Sequence, residues 1–237
     1  MLKGLPDVDR ATVEKWTVPL LEEFLHNVDY EEAINEVANK FSSGTINLFV
    51  ESLFNQVLER SQKARSLVGH FLSKLLKKGI VTESQFLDGL DCLLLLADDL
   101  IVDIPKFWDF LANILAPIFS SGALGLTILK KSAFKANMLP GDSVKCSDAG
   151  KYVVAILQEM GRSGHIPVIQ LWRQSGLQWI DFLSDETSVE DFLVRYNLEW
   201  IVASGDSGEV IEDLNEQRLR KEMKQVLDCN RLLINKF

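Results

Sequence analysis

The sequence predicts an all-α protein made of stacked antiparallel helical hairpins. Apolar residues recur at i, i+3, i+4 and i+7 through long stretches. Only six prolines and 14 glycines punctuate 237 residues, which leaves little room for a many-turned β protein. Helix-start and helix-stop residues fall between the apolar stripes.

The first helix is expected over Arg10–Asn27, with Pro19 inside it either kinking the helix or delaying its start. Asp29 is placed to cap a second helix running to about Lys40. Ile46, Phe49, Val50, Leu53, Phe54, Val57 and Leu58 form the next stripe. Ala64, Leu67, Val68, Phe71, Leu72, Leu75 and Leu76 form the one after it, which Gly79 ends. Thr82 and Gln85 are spaced as a capping box, each side chain serving an amide of the first turn. Phe107, Phe110, Leu111, Ile114, Leu115, Ile118 and Phe119 mark a further helix. Asp103 is expected to cap it, with Pro105 in its first turn.

The helices group as pairs over 10–40, 45–78 and 82–120, followed by a less regular set from 124 to about 200. A pair length of about 35–40 residues suits a HEAT-like α-α superhelix. Gly141–Asp148 reads as a polar loop. The expected organisation is a helical domain over 10–200 and a linker over 201–208. After it, 209–237 is read as an amphipathic helix with Ile211, Leu214, Leu219, Met223, Val226 and Leu227, or as a link to a further domain.

Composition narrows the function. A hydrophobic content of 47% supports a full core and excludes general disorder. A net charge of −9 repels phosphates, so RNA contact is expected to be weak or indirect. A basic protein surface is the better match. Cys92, Cys146 and Cys229 are too few and too scattered for a disulfide framework or a metal cluster, which fits a reducing compartment. The N-terminus lacks the apolar core of a signal peptide, and the longest apolar run, Leu93–Ala97, is far too short to span a bilayer. A cytoplasmic protein with no membrane contact is expected.

No catalytic constellation stands out. His26, His70 and His165 lack positioned partners, and Cys92 in its leucine run reads as a small buried hydrophobe. Gly205-Asp206-Ser207-Gly208 echoes a serine-protease signature without the triad or the β-barrel that chemistry needs, and reads as a solvated turn. No glycine-rich phosphate loop follows a strand. The expectation is no enzyme activity, no cofactor and no metal.

Two charge patterns remain. Lys74, Lys77 and Lys78, and Lys130, Lys131 and Lys135, form basic clusters that read as solvated helix ends. Asp88, Asp91, Asp98, Asp99 and Asp103 fall in one stretch, with no Lys or Arg between Lys78 and Lys106. Asp98 and Asp99 are expected at a helix C-terminus, the wrong end for anions. Spacing alone leaves two readings open: a docking corner for arginine or lysine, or a solvated corner.

The segment LADDLIVDIPKFWDFLANILAPIF, Leu96–Phe119, resembles the MA-three domain of the translation initiation factor four gamma scaffold family. An acidic-x-x-x-Asp-x-Pro corner joins two helices there, and Asp99, Asp103 and Pro105 match it. LLEEFLHNVDYEEAINEV (Leu20–Val37) resembles the family's first hairpin, and LERSQKARSLVGHFLSKLL (Leu58–Leu76) the end of its third helix and its fourth. LWRQSGLQWIDFL (Leu171–Leu183) is similar to a scaffold-specific stretch beyond the core domain. The resemblance covers about residues 10–200.

It implies a monomeric, non-catalytic module that binds and modulates the DEAD-box initiation RNA helicase. The acidic corner would meet the helicase's N-terminal RecA-like lobe. Asp99 and Asp103 are then the interface residues, with Asp98 beside them and Pro105 as a structural cap. Trp172, Trp179 and Phe182 are read as packing residues. The competing readings are an inhibitor like programmed cell death protein four, whose family carries two such domains where this chain shows one, and an RNA-binding helical repeat.

Overall fold

A computed structural model describes residues 8–136, 146–183 and 188–202. Among them there are helices and no strand. They divide into two compact units that part between Val189 and Glu190.

In the first unit the hairpins expected over 10–40 and 45–78 are present as α1 (Arg10–Asn27) with α2 (Tyr30–Lys40), and α3 (Ile46–Val57) with α4 (Gln62–Lys77). The span 82–120 holds three helices: α5 (Glu83–Leu95), α6 (Ala97–Asp103) and α7 (Phe107–Ser120). Then come α8 (Thr127–Lys135), α9 (Cys146–Gly161), α10 (His165–Ser175) and a 3₁₀ turn at Trp179–Asp181. Since α9 begins at Cys146, the end of the expected Gly141–Asp148 loop is helical. The rest of that loop, residues 203–208 of the expected 201–208 linker and the helix expected over 209–237 lie outside the described residues, while Ile201 and Val202 at the start of that linker are helical.

Packing follows a simple order. α1 packs on α3, α3 on α5 and α5 on α8, while α2 packs on α4, α4 on α7 and α7 on α9. These are the two layers of a stacked-hairpin array, with α6 packed on both α5 and α7 where the chain crosses between layers. The stripe residues Phe49, Leu53, Phe54, Val68, Phe71, Leu72, Phe107, Leu111 and Ile114 are fully buried.

Local chemistry sets the helix ends. The Asp29 carboxylate accepts from the Glu31 and Glu32 amides, both at 3.0 Å. The Thr82–Gln85 capping box is present: the Thr82 amide donates to Gln85 Oε1 at 3.0 Å, and the Gln85 amide to Thr82 Oγ1 at 3.3 Å. Gly79 ends the α4 region at a φ of 67°, where glycine meets no steric penalty. Pro19 neither delays α1 nor ends it. Val13, Thr17, Leu20, Leu21 and Phe24 are buried on both sides of the proline. That burial outweighs the one backbone hydrogen bond a proline removes.

Val28 stands where α1 turns into α2 with φ 55° and ψ 29°, a left-handed conformation that costs a β-branched residue roughly 1–2 kcal/mol. Its side chain is partly exposed, so little burial is lost when it is removed. Val28→Gly is expected to stabilise the domain by about 1 kcal/mol, because glycine's extra unfolded-state freedom offsets only part of the relief. A rise in the denaturant midpoint at constant slope is the readout, and a fall refutes the strain.

Two glycines let helices touch. A Cβ on Gly69 of α4 would lie 2.3 Å from the Ile114 carbonyl oxygen of α7, and one on Gly89 of α5 would lie 2.7 Å from Val50 Cγ1 of α3. The α4–α7 contact also holds a buried arginine. Arg65 Nε donates to Asn113 Oδ1 at 3.0 Å, its Nη1 donates to the Leu58 carbonyl at 3.1 Å and to that of Arg60, and its guanidinium lies 3.8 Å over the Phe110 ring.

Trp172 and Trp179 pack with ring centroids 5.0 Å apart and Phe182 beside them, all buried, as packing residues should be. In the second unit, α11 (Val189–Arg195) leads to α12 (Glu199–Val202) through a left-handed Asn197. There the Trp200 indole donates to the Asn197 carbonyl at 3.1 Å.

Candidate functional site

The acidic stretch is not one cluster. Asp88 and Asp91 belong to the α5–α8 contact, where Lys135 reaches both carboxylates at 3.3 and 2.8 Å. Asp91 is buried, and that burial pushes its carboxyl up against the pull of the Lys135 ammonium. Asp98, Asp99 and Asp103 are exposed on α6.

The break that makes α6 comes at Leu96, with φ −96° and ψ 5°. Its carbonyl then accepts from the Asp99 and Leu100 amides at 3.1 and 3.0 Å and starts a new turn. α6 stops at Asp103 because Ile104 precedes Pro105. A residue before proline is driven out of the helical region, and Ile104 sits at φ −120°, ψ 84°. Ala97 and Ile104 are buried, with Leu100 and Ile101 half-buried, on one side of the helix. The other side carries Asp98, Asp99, Val102 and Asp103.

This corrects two expectations. Asp98 and Asp99 are not at a helix C-terminus but in the first turn of α6, the end that suits anions. Asp103 does not cap α7. It is the last residue of α6, and α7 starts at Phe107 with Lys106 before it and no side-chain cap. Pro105 is therefore not in the first turn of α7. It lies in the exposed turn between the helices, where its effect is to end α6.

The apolar side chains near the carboxylates are also exposed. Val102 retains 78% of its surface, Leu95 58% and Leu96 54%. Sequence reasoning missed them because the run from Leu93 to Leu96 reads as core. For Val102 the signal is the α6 periodicity: 97, 100, 101 and 104 form one stripe, which leaves 102 on the opposite side, whereas Leu95 and Leu96 carry no such signal.

Elsewhere, much of the basic charge is engaged with the protein itself. Lys130 contacts Asp181 at 2.7 Å, Lys131 contacts Glu83 at 2.6 Å, Lys78 contacts Glu31 at 2.6 Å, and Lys74 lies 5.0 Å from the Tyr30 ring. His26, His70 and His165 are exposed on three different helices. Burial and the Glu51 carboxylate push the Cys92 thiol up, the wrong direction for a nucleophile. Among the described residues no group of His, Cys, Asp and Glu is arranged to hold a metal, and no helix is long and apolar enough to cross a membrane. Gly205–Gly208 lies outside the described residues.

Residues 13–125, from the first turn of α1 to the end of the turn after α7, match the model of the MA3 domain. This stretch is an MA3 domain. α6 and its acidic face therefore lie inside the MA3 match. The likeness to individual proteins runs further. The chain is 29% identical over 226 residues to mouse eukaryotic translation initiation factor 4 gamma 3, covering 94% of this chain and 14% of that protein. It is 29% identical to mouse eukaryotic translation initiation factor 4 gamma 1, over 91% of this chain and 13% of that protein. An Arabidopsis thaliana MA3 domain-containing translation regulatory factor 2 is 27% identical over 58% of this chain and 19% of its own length. The chain thus spans about one seventh of the length of the gamma relatives.

Proposed function

We propose that this MA3-containing chain is a non-catalytic scaffold module of cytoplasmic translation initiation that binds the DEAD-box initiation RNA helicase. The outward face of α6 docks on a basic patch of the helicase's N-terminal RecA-like lobe, and the module acts as a monomer. The observation that carries this reading is the arrangement of α6. Asp98, Asp99 and Asp103 stand on one exposed side of a short helix, in a sequence stretch without a cation from Gly79 to Pro105. The similarity to translation initiation and regulatory factors supports the setting. The engagement of Lys78, just after α4, and of Lys130 and Lys131 on α8 weighs against the RNA-binding alternative.

Calorimetric titration of the full chain with the isolated N-terminal lobe tests it. Association that weakens as salt rises is expected, because exposed opposite charges are screened. No association at low salt overturns it. RNA offered in the same way is expected to bind weakly and with strong salt dependence. Tight RNA binding at physiological salt would reverse the ranking of the readings.

A further inference from the structure

Exposed carboxylates can guide a partner, but they hold it poorly. Ion pairs between solvated groups gain little net free energy, since each charge gives up water to meet the other. Stable interfaces instead centre on apolar side chains that become fully desolvated, ringed by polar groups. The face of α6 has that layout. Val102 lies one turn from both Asp98 and Asp99, at i+4 and i+3, and directly before Asp103. It is the most exposed large hydrophobic side chain among the described residues. Leu95 and Leu96, at the α5–α6 break, add two more large exposed side chains within the same eight residues. A single exposed valine is ordinary, but three in one acidic segment are not.

We propose that Val102, with Leu95 and Leu96, is the apolar anchor of this docking face. The three aspartates steer the encounter and set its orientation. The inference rests on the helicase reading and deepens it: the partner surface must offer an apolar hollow with a basic rim. Charge decides among occupants. A second copy would bring the same aspartates face to face in a two-fold contact, and a nucleic acid would bring phosphates. A basic protein surface alone complements both the charge and the apolar centre.

The test measures association and dissociation rates of the full chain with the helicase lobe across a salt series. Compared are wild type, Val102→Ser, Leu96→Ser and the pair Asp99→Asn/Asp103→Asn. Helix content and melting are recorded for each variant. Val102→Ser is expected to raise the dissociation rate at least about tenfold and leave the salt slope unchanged. Leu96→Ser is expected to act in the same direction. The aspartate pair should slow association and flatten the salt dependence, with a smaller change in dissociation.

If wild type binds and both folded serine variants dissociate at the wild-type rate, the anchor is refuted while the helicase reading stands. If wild type does not bind at all, the helicase reading fails and takes the anchor with it. Concentration-dependent dimerisation that Val102→Ser abolishes would assign the face to a second copy and overturn the proposal.

Discussion

Gly69→Ala is expected to destabilise the protein by about 2–3 kcal/mol, although alanine is the better helix former. Propensity alone favours alanine by about 1 kcal/mol in a helix interior. At Gly69 the new methyl would stand 2.3 Å from the Ile114 carbonyl oxygen, 3.1 Å from the Ile114 carbonyl carbon and 3.1 Å from Pro117 Cγ. The carbonyl belongs to the α7 backbone and cannot rotate away as a side chain can. The two helices must separate, and with them the buried layer of Val68, Leu72, Leu111 and Leu115. Overpacking of this kind typically costs about 1–3 kcal/mol on its own. In a domain of this size the melting temperature should fall by roughly 5–10 °C. Gly125→Ala is the control, since its methyl would meet nothing closer than 3.6 Å. An unchanged melt for Gly69→Ala would show that α4 and α7 do not cross at this distance.

Reversing charge on α6 is expected to have the largest effect on binding. Asp99→Lys with Asp103→Lys should weaken helicase association at least about 100-fold, because two cations set against a basic patch add like-charge repulsion of several kcal/mol, well beyond the small loss of the pairs themselves. The position of α6 decides which single variant is the better probe. A lysine at 99 would stand in the first turn, where the helix dipole disfavours a cation by about 0.3–1 kcal/mol, so lost binding there could reflect a frayed helix. A lysine at 103 stands in the last turn, which prefers a cation. Asp103→Lys should therefore keep α6 intact and still lose affinity. Glu23→Lys, an exposed reversal on α1, is the control. Wild-type affinity in a folded double variant would reduce the acidic face to a solvated turn.

Much of the hairpin order was legible in the sequence because burial imposes a period. The stripes from Ile46 to Leu58 and from Phe107 to Phe119 each have one wet side, and Asp29, Gly79 and Thr82 mark ends by chemistry that acts within a few residues. Where periodicity vanishes, so does legibility. Between Leu93 and Leu96 every residue is apolar, so nothing in the pattern shows that Leu93 and Leu94 are buried while Leu95 and Leu96 are not. The break at Leu96 has no glycine or proline to announce it. Asp103 and Pro105 resembled a cap and a first turn because the pre-proline effect at Ile104, which ends the preceding helix, leaves the same letters. The acids could be found as a cluster, but which of them face a lysine depends on α8, about 40 residues away in sequence, and local spacing carries no such information.

Arg65 has a consequence for acid solution. Most cross-helix ion pairs of this domain join lysine or arginine to a carboxylate: Arg60 to Glu22, Lys78 to Glu31, Lys131 to Glu83. Acid that protonates a carboxylate dissolves such a pair, and at Glu22 the hydrogen bond from Arg60 holds the carboxyl below its usual range. The acceptors around Arg65 are a side-chain amide, two backbone carbonyls and an aromatic face, none of which takes up a proton there. Burial lowers the guanidinium's pKa, yet it remains charged throughout, so its bonds outlast the carboxylates. When the outer pairs let go, α4 and α7 keep both their polar lock and their glycine contact. The acid-expanded chain should therefore loosen from its rim inward and leave this pair as the residual folded nucleus.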